Sequence, residues 1–337
     1  MWYYLISGVF IALLLYSWFS KKSPESPQTK RFSYKTFDDN NEPSAFSITT
    51  FNTLADMFTH FHYYTKPSYL DFNYRFPLIQ SFLKELDSDF IALEEVDKYP
   101  EFESFLSSIE YRSNFIERSS MKARDGLVLA WKWKKYHQIE TKRIDYNSHW
   151  KCDTNINYKK DNVGFVSVFE ERQSKKLIVI ACTHLYWDPK LEYVKYAQAA
   201  MLIDEVIKMK NKYQCPVVIC GDFNSMPFSN VLNLFYGKPW KPTGNKEIDL
   251  EIESLRIKPW FKFRSAYERY DGKAHPKFSN FTLNFNGCID YVFHTFELKP
   301  KRILMIPNEE VATKEGALPN SEYPSDHLPL KVEFSMS

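Results

Sequence analysis

Five apolar runs in this chain end on a polar residue able to do chemistry. Phe46–Phe51 leads into Asn52, the run DFIAL into Glu94-Glu95, and LIVIACT into His184. PVVICG leads into Asp222-Phe223-Asn224, and GCI into Asp290. A sixth site, Pro324-Ser325, precedes Asp326-His327. Loops at strand ends are where a rigid scaffold holds reactive groups. A carboxylate with asparagine oxygens suits Mg²⁺, a hard ion that binds through few carboxylates plus phosphate. Two histidines with carboxylate partners suit handling the proton of an attacking water or stabilising charge on phosphorus. This set implies metal-assisted hydrolysis of a phosphoester with no covalent nucleophile. Ser225 has no GxSxG elbow around it, so an acyl-enzyme hydrolase is not supported.

Each residue alone has a plainer reading. Asn52, Asp222 and Asn224 are common turn formers, Glu95 could be a solvated loop acid, and His184 a satisfied histidine at a strand edge. Asp222 and Asn224, however, flank an apolar Phe223, so their side chains point the same way. His60, His62, His137, His149, His275 and His294 lack such a context and read as surface or packing residues.

The elements that must position these groups are strand-like runs at Phe46–Phe51, Phe90–Leu93, Gly126–Trp131, Gly164–Phe169, Leu177–Cys182, Val217–Cys220, Cys288–His294 and Lys331–Phe334. Helical runs fall between them at Tyr74–Leu86, Glu101–Ser108, Leu191–Tyr213 and Ser229–Phe235. In the third, Val194, Ala197, Met201 and Val206 recur at helical spacing and give one buried face. Gly237–Lys258 and Asn308–Tyr323 read as surface loops.

The 337 residues include 44 Lys+Arg against 42 Asp+Glu, 44% hydrophobic and 17% aromatic. That excludes a disordered tail and a disulfide miniprotein. A net charge of +2 means that affinity for polyanions must come from a local patch. The stretch Trp131-Lys132-Trp133-Lys134-Lys135 could touch phosphates or be a solvated face. Five unclustered cysteines without a CxxC pair argue against a thiolate zinc site and read as free thiols in a reducing compartment.

Residues 1–20 carry no charged side chain, and Trp2–Phe19 is apolar or aromatic except at Ser7, Gly8 and Ser17. A helix of that length measures about 27 Å, close to a bilayer's hydrocarbon core. Lys21, Lys22, Lys30 and Arg31 follow it and none precedes it. The expectation is a single-pass transmembrane anchor over 1–20, a flexible linker over 21–45 and a cytosolic catalytic domain over 46–337. The sequon Asn280-Phe281-Thr282 would favour a luminal body, but it sits in a strand-like stretch.

The ordered blocks TFNTLAD (Thr50–Asp56), LEEVD (Leu93–Asp97), RDG (Arg124–Gly126), THLYWDP (Thr183–Pro189), GDFNSMP (Gly221–Pro227), TLNFNGCIDYVF (Thr282–Phe293) and PSDHLP (Pro324–Pro329) resemble the endonuclease/exonuclease/phosphatase family. THLYWDP followed by EYVKYAQAAMLIDEV, and the block TLNFNGCIDYVF, resemble its branch of carbon-catabolite-repression deadenylases, nocturnin and Angel. The resemblance implies an α/β fold, a four-layer sandwich of two mainly antiparallel sheets flanked by helices, with one site at the top of the sheets. It makes Glu95 the direct Mg²⁺ ligand (Mn²⁺ being an alternative) and Asn52 the asparagine near metal and phosphate. His184 becomes the phosphate-binding histidine, and Asp222 with Asn224 the pair that activates or orients the water. Asp290 orients His327, and Asp326 is its metal-side neighbour. Pro189 and Phe285 enclose an adenine with help from Asn224. The usual glutamine before the metal-binding glutamate is Glu94 here, and no leucine-rich repeat block precedes the catalytic region, which bears on joining the large deadenylase complex.

The leading reading is a Mg²⁺-dependent 3′-5′ exoribonuclease acting on single-stranded RNA, with poly(A) preferred. The second is a phosphodiesterase or phosphatase on a nucleotide, a 2′-phosphate or a lipid headgroup. The third is a non-catalytic, membrane-tethered RNA-binding protein.

Overall fold

The computed structural model describes residues 31–37, 45–119, 124–147, 159–255, 261–268, 270 and 275–336. Two units are distinguished, Met1–Ser33 and Tyr34–Ser337, and the second carries all of the candidate residues. The uncharged segment 1–20 lies outside the described residues. Among the described residues no helix is long and apolar enough to cross a membrane.

The strands in chain order are β1 (Tyr34–Thr36), β2 (Phe46–Asn52), β3 (Phe90–Val96), β4 (Tyr111–Glu117), β5 (Gly126–Lys132), β6 (Tyr136–Asp145), β7 (Val163–Glu171) and β8 (Leu177–His184). They continue as β9 (Val217–Asp222), β10 (Arg264–Ser265), β11 (Asn280–Phe281), β12 (Asn286–Gly287), β13 (Asp290–His294), β14 (Leu298–Leu304) and β15 (Leu330–Met336). The main helices are α1 (Phe72–Leu86), α2 (Tyr99–Ser108), α3 (Glu192–Tyr213), α4 (Asn230–Phe235) and α5 (Lys246–Ser254). β2 and β9 are buried throughout, as expected of strands covered on both faces.

One sheet runs β1-β14-β15-β2-β3-β5-β4 and the other β10-β13-β9-β8-β7-β6. Each contains a single parallel pair, β2 with β3 and β8 with β9. Parallel neighbours need a long crossover, and here the crossovers carry α1 and α3. On the outer side of the second sheet, Leu202, Val206 and Met209 of α3 join Val166, Val179 and Val217 in one apolar cluster. α1 buries Ile79, Phe82 and Leu83, with the Phe82 ring stacked 6.1 Å from that of Phe51. The two sheets meet through β2 and β3 against β8 and β9. This is the α/β sandwich that the sequence resemblance implied.

Strand direction delivers the reactive residues to one edge. Asn52 lies opposite Glu94 at the ends of β2 and β3, and His184 lies opposite Asp222 at the ends of β8 and β9. β13 runs antiparallel to β9, so its first residue, Asp290, faces Asp222. β15 runs antiparallel to β2, so the segment just before it, Asp326-His327, arrives at the same end.

Several elements differ from the sequence expectation. The stretch read as linker contributes β1, an edge strand paired with β14. β4, β6 and β14 have no long apolar run; β6 largely alternates half-buried and exposed residues at a sheet edge. α5 lies inside a stretch read as loop, because Asn245 caps it and only Ile252 is fully buried. The basic stretch at Lys132–Lys135 is at the far end of β5. Trp131 pairs with Phe90 while Gly126 pairs with Val96 at the reactive edge, about 17 Å away at strand rise. Its lysines are ion-paired with Asp87, Glu110 and Asp89, so it contributes nothing to the site. Cys182, Cys215, Cys220 and Cys288 are buried free thiols.

Gly221 is the β9 residue before Asp222 and pairs with Thr183, the β8 residue before His184. Its φ is +140°, and a Cβ there would lie 1.9 Å from the Thr183 carbonyl oxygen. Gly221→Ala should therefore force β8 and β9 apart and destabilise the chain by about 2–4 kcal/mol, read from urea unfolding. An unchanged midpoint would show that the backbones yield there at no cost.

Candidate active site

Glu95 reaches the cleft because β3 bulges. Its register on β5 shifts between Leu93 and Val96, and Glu95 takes a left-handed φ of +57°. Such a bulge re-aims one side chain out of alternation. The Glu95 carboxylate accepts from Asn52 Nδ2 at 3.1 Å and from the Ala55 amide at 3.0 Å. Its neighbour Glu94 is turned the other way, fully buried between the sheets, accepting from Thr50 Oγ1 at 2.8 Å with Oε2 unpartnered. Burial, then Cys220 and Asp290, holds the Glu94 carboxyl well above the usual range. Glu94 is thus turned away from the cleft, in a setting that disfavours its charged form.

On the second sheet Asp222 and Asn224 flank Phe223, whose ring is wholly buried against Phe235, Tyr291 and Phe293. Asn224 adopts a left-handed φ of +46°. Asp222 accepts from the Asn224 amide at 2.8 Å and from Asn52 Nδ2 at 3.1 Å. Asn52 thereby joins the carboxylates of the two sheets. His184 Nε2 is 3.4 Å from Asp222 and 3.0 Å from Asn224 Nδ2, which also donates to the Leu185 carbonyl. Arg118, ion-paired with Asp125, approaches His184 Nδ1 at 3.3 Å. Both ring nitrogens thus face donors, and the neutral ring can accept at only one. Burial first, then Arg118 and His327, keeps His184 uncharged, well below the usual histidine range.

His327 has the opposite setting. Nδ1 lies 2.8 Å from Asp290 and Nε2 3.6 Å from Asp222, while Ser279 donates to Asp290 at 2.6 Å. Burial alone would favour a neutral ring, but Asp290, Asp326 and Asp222 outweigh it and hold the proton well above the usual range. Asp326 accepts from His62 at 3.2 Å and from Asn280 Nδ2 at 2.9 Å. Burial opposes its ionisation, but His327, His62 and Asn280 prevail and keep it below the usual carboxylate range. Buried Arg75 donates to the Thr53 and Pro324 carbonyls, tying the two segments that carry Asn52 and Asp326.

His62, Glu95, Arg118, His184, Asp222, Asn224, Asn280, Asp326 and His327 line one cleft of about 970 Å³, whose walls include Pro189 and Phe285. Pro189 opens the short turn before α3, and Phe285, 41% exposed, sits in the β11–β12 hairpin. The sequence reading missed His62, Arg118 and Asn280. His62 lies beyond a short helical turn, and only the fold brings it to Asp326. Asn280, the sequon residue, is buried with its amide spent on Asp326.

The donor set fits a hard divalent cation. Burial, with Asp326 and Asp125, raises Glu95, so a cation would relieve the repulsion. Asp222, Asp290 and His327 also offer ligand atoms within 4.8 Å of one another. His327 Nδ1 is already taken by Asp290. Glu95, held beside Asn52, is a second carboxylate position open to a cation.

Burial and the facing Asp290, against the pull of His327, push Asp222 up to about 7. A carboxyl raised from 3.8 stabilises the fold fully below 3.8, and its contribution is lost as pH rises through 7. Asp222→Asn does not ionise. In EDTA, the Tm of this variant relative to wild type should rise between pH 4 and pH 8; a flat or falling difference would refute the raised Asp222.

The family model of the endonuclease/exonuclease/phosphatase family matches residues 49–327. Carbon catabolite repressor protein 4 homolog 4 of Arabidopsis thaliana is 30% identical over 333 residues, covering 86% of this chain and 78% of that protein. The probable CCR4-Not complex 3′-5′-exoribonuclease subunit Ccr4 of Vairimorpha ceranae is 29% identical over 315 residues, covering 86% of this chain and 64% of that one. The crystal structure of ANGEL2, a 2′,3′-cyclic phosphatase, in complex with adenosine-2′,3′-vanadate shares the fold at a TM-score of 0.78 and 23% identity, covering 91% of this chain and 99% of that one. With two thirds or more of its length matched and this catalytic edge assembled, the chain belongs to the endonuclease/exonuclease/phosphatase family.

Proposed function

We propose that this protein is a Mg²⁺-dependent 3′-5′ exoribonuclease that prefers poly(A). The observation that carries the reading is the position of Pro189 and Phe285 on the walls of the cleft that holds Glu95, Asp222 and His327. Two flat apolar side chains beside a phosphodiester-cleaving edge suit a nucleobase. The name of the Vairimorpha relative, a probable 3′-5′-exoribonuclease subunit, supports the same class.

Each group has a task in this reading. A divalent cation at Glu95, when bound, supplies positive charge to a phosphoryl oxygen. Asp222, poised near neutrality, takes a proton from the attacking water, and the Asn224 amide beneath it fixes the carboxylate's direction. His327 keeps its proton through Asp290 and offers it to developing charge on phosphate. His184, neutral and held between Arg118 and Asn224, contacts the phosphate without bringing a second positive charge.

The same proposal places the body on the cytosolic side of a membrane, anchored by residues 1–20. Protease added to sealed microsomes should digest the body without detergent; protection would reverse the orientation.

The activity test incubates the purified protein with 5′-labelled oligoadenylate and oligouridylate, with Mg²⁺ or EDTA. A ladder growing from the 3′ end and abolished by EDTA is the expected outcome. Intact RNA together with phosphate release from a nucleotide ester would move the reading to the phosphatase class. Phe285→Ala should lower kcat/KM on oligoadenylate by about 5- to 150-fold, from the stacking range of a base on an aromatic ring. It should also narrow the gap to oligouridylate. Phe285 is half-exposed, so Tm should hold; equal loss on both RNAs in a well-folded variant would mean that the base is not read there.

A further inference from the structure

Lys195 lies on α3, one turn beyond Glu192, and is 3% exposed. Its ammonium donates to the Asn224 carbonyl at 2.7 Å. An ammonium carries three donors, and among the described residues this carbonyl is the one acceptor that Lys195 meets within hydrogen-bond distance. Lys195 also lines the cleft, as Pro189 and Phe285 do. A buried ammonium with unfilled donors is expensive unless something occupies them. Burial draws Lys195 below the usual lysine range, and Glu192, Asp222 and Asp188 offset that only in part.

The surroundings limit what can fill those donors. Pro189 and Phe285 offer flat apolar surfaces and no side-chain hydrogen-bonding group. A planar heterocycle held between them turns its edge to the rest of the cleft lining, of which Lys195 is part. The Asn224 amide is already spent on the Leu185 carbonyl and lies against His184. We propose that Lys195 is a substrate-binding residue that donates to a ring acceptor on the edge of the terminal nucleobase. The inference rests on the nucleotide reading of this cleft and deepens it. The same donor could instead meet a ribose or phosphate oxygen, and the test separates these sources.

The test measures binding of adenosine 5′-monophosphate, its 1-, 3- and 7-deaza analogues and ribose 5-phosphate in Mg²⁺ by calorimetry, with wild type and Lys195→Met. The expected result is a Kd for adenosine monophosphate weakened about 10- to 100-fold in the variant, the range for a hydrogen bond from a charged donor. Ribose 5-phosphate binding should not change. One deaza analogue should lose the same factor in wild type and lose nothing further in Lys195→Met. Equal weakening of ribose 5-phosphate would overturn the proposal and leave Lys195 as a brace for the Asn224 loop or a phosphate donor. So would deaza analogues that all bind like the parent nucleotide, or a wild type that does not prefer the nucleotide to ribose 5-phosphate. If Lys195→Met melts early, Lys195→Gln carries the same comparison. Oligoadenylate cleavage is scored separately: nucleotide binding through Lys195 with intact RNA would keep this inference and remove the exoribonuclease reading.

Discussion

Asp222 and Asp290 stand opposite each other on neighbouring antiparallel strands, both buried. Two carboxylates in register in a low-dielectric setting repel, and the surrounding groups are arranged around that repulsion. His327 lies between them and keeps its proton because they are there. Ser279 fixes Asp290 from behind, and Asn52 holds Asp222 from the other sheet. The result is a pair of acids with divided duties. One orients an imidazolium, while the other sits near its titration point at neutral pH, where proton transfer is efficient.

Holding such groups in place needs strained or fully satisfied backbone, and the chain supplies both. Glu95 and Asn224 are left-handed without being glycine, each just past a strand end. Such conformations persist where the surroundings over-determine them. At Glu95 this is the bulge against β5 together with the Ala55 amide. At Asn224 it is the Lys195 ammonium below and the Asp222 carboxylate above. Gln198, one turn further along α3, accepts from the Tyr186 amide and donates to Asn162, which in turn donates to the His184 carbonyl. A single polar face of one helix therefore braces both reactive segments of the second sheet. Its apolar face, meanwhile, packs on the strands.

The central strands were legible because their burial on both faces writes continuous apolar runs, and the reactive residues because they follow those runs directly. α3 was legible from Val194, Ala197 and Val206, all buried. β4, β6 and β14 were not, since an edge or half-exposed strand draws its stability from neighbours and not from its own pattern. His62 shows a different limit. Nothing in its local sequence separates it from His60, which is exposed and hydrogen-bonded to the Met57 carbonyl. What distinguishes it is a partner, Asp326, far along the chain. Glu94 was visible as an unusual residue, but which way it points depends on the bulge, a property of pairing with β5.

The order of strands has a consequence for when the enzyme can exist. β2, which carries Asn52, is built early, yet its neighbour on one side is β15, the last strand in chain order. Until β15 emerges from the ribosome, β2 presents an unpaired edge in the middle of its sheet, and Asp326-His327 has nowhere to dock. Long-range pairings of this kind form late and slowly. A nascent chain therefore holds the cleft in pieces, and hydrolytic capacity arises only once synthesis has passed β15. For a hydrolase of phosphoesters, this arrangement leaves the half-made chain without a working site.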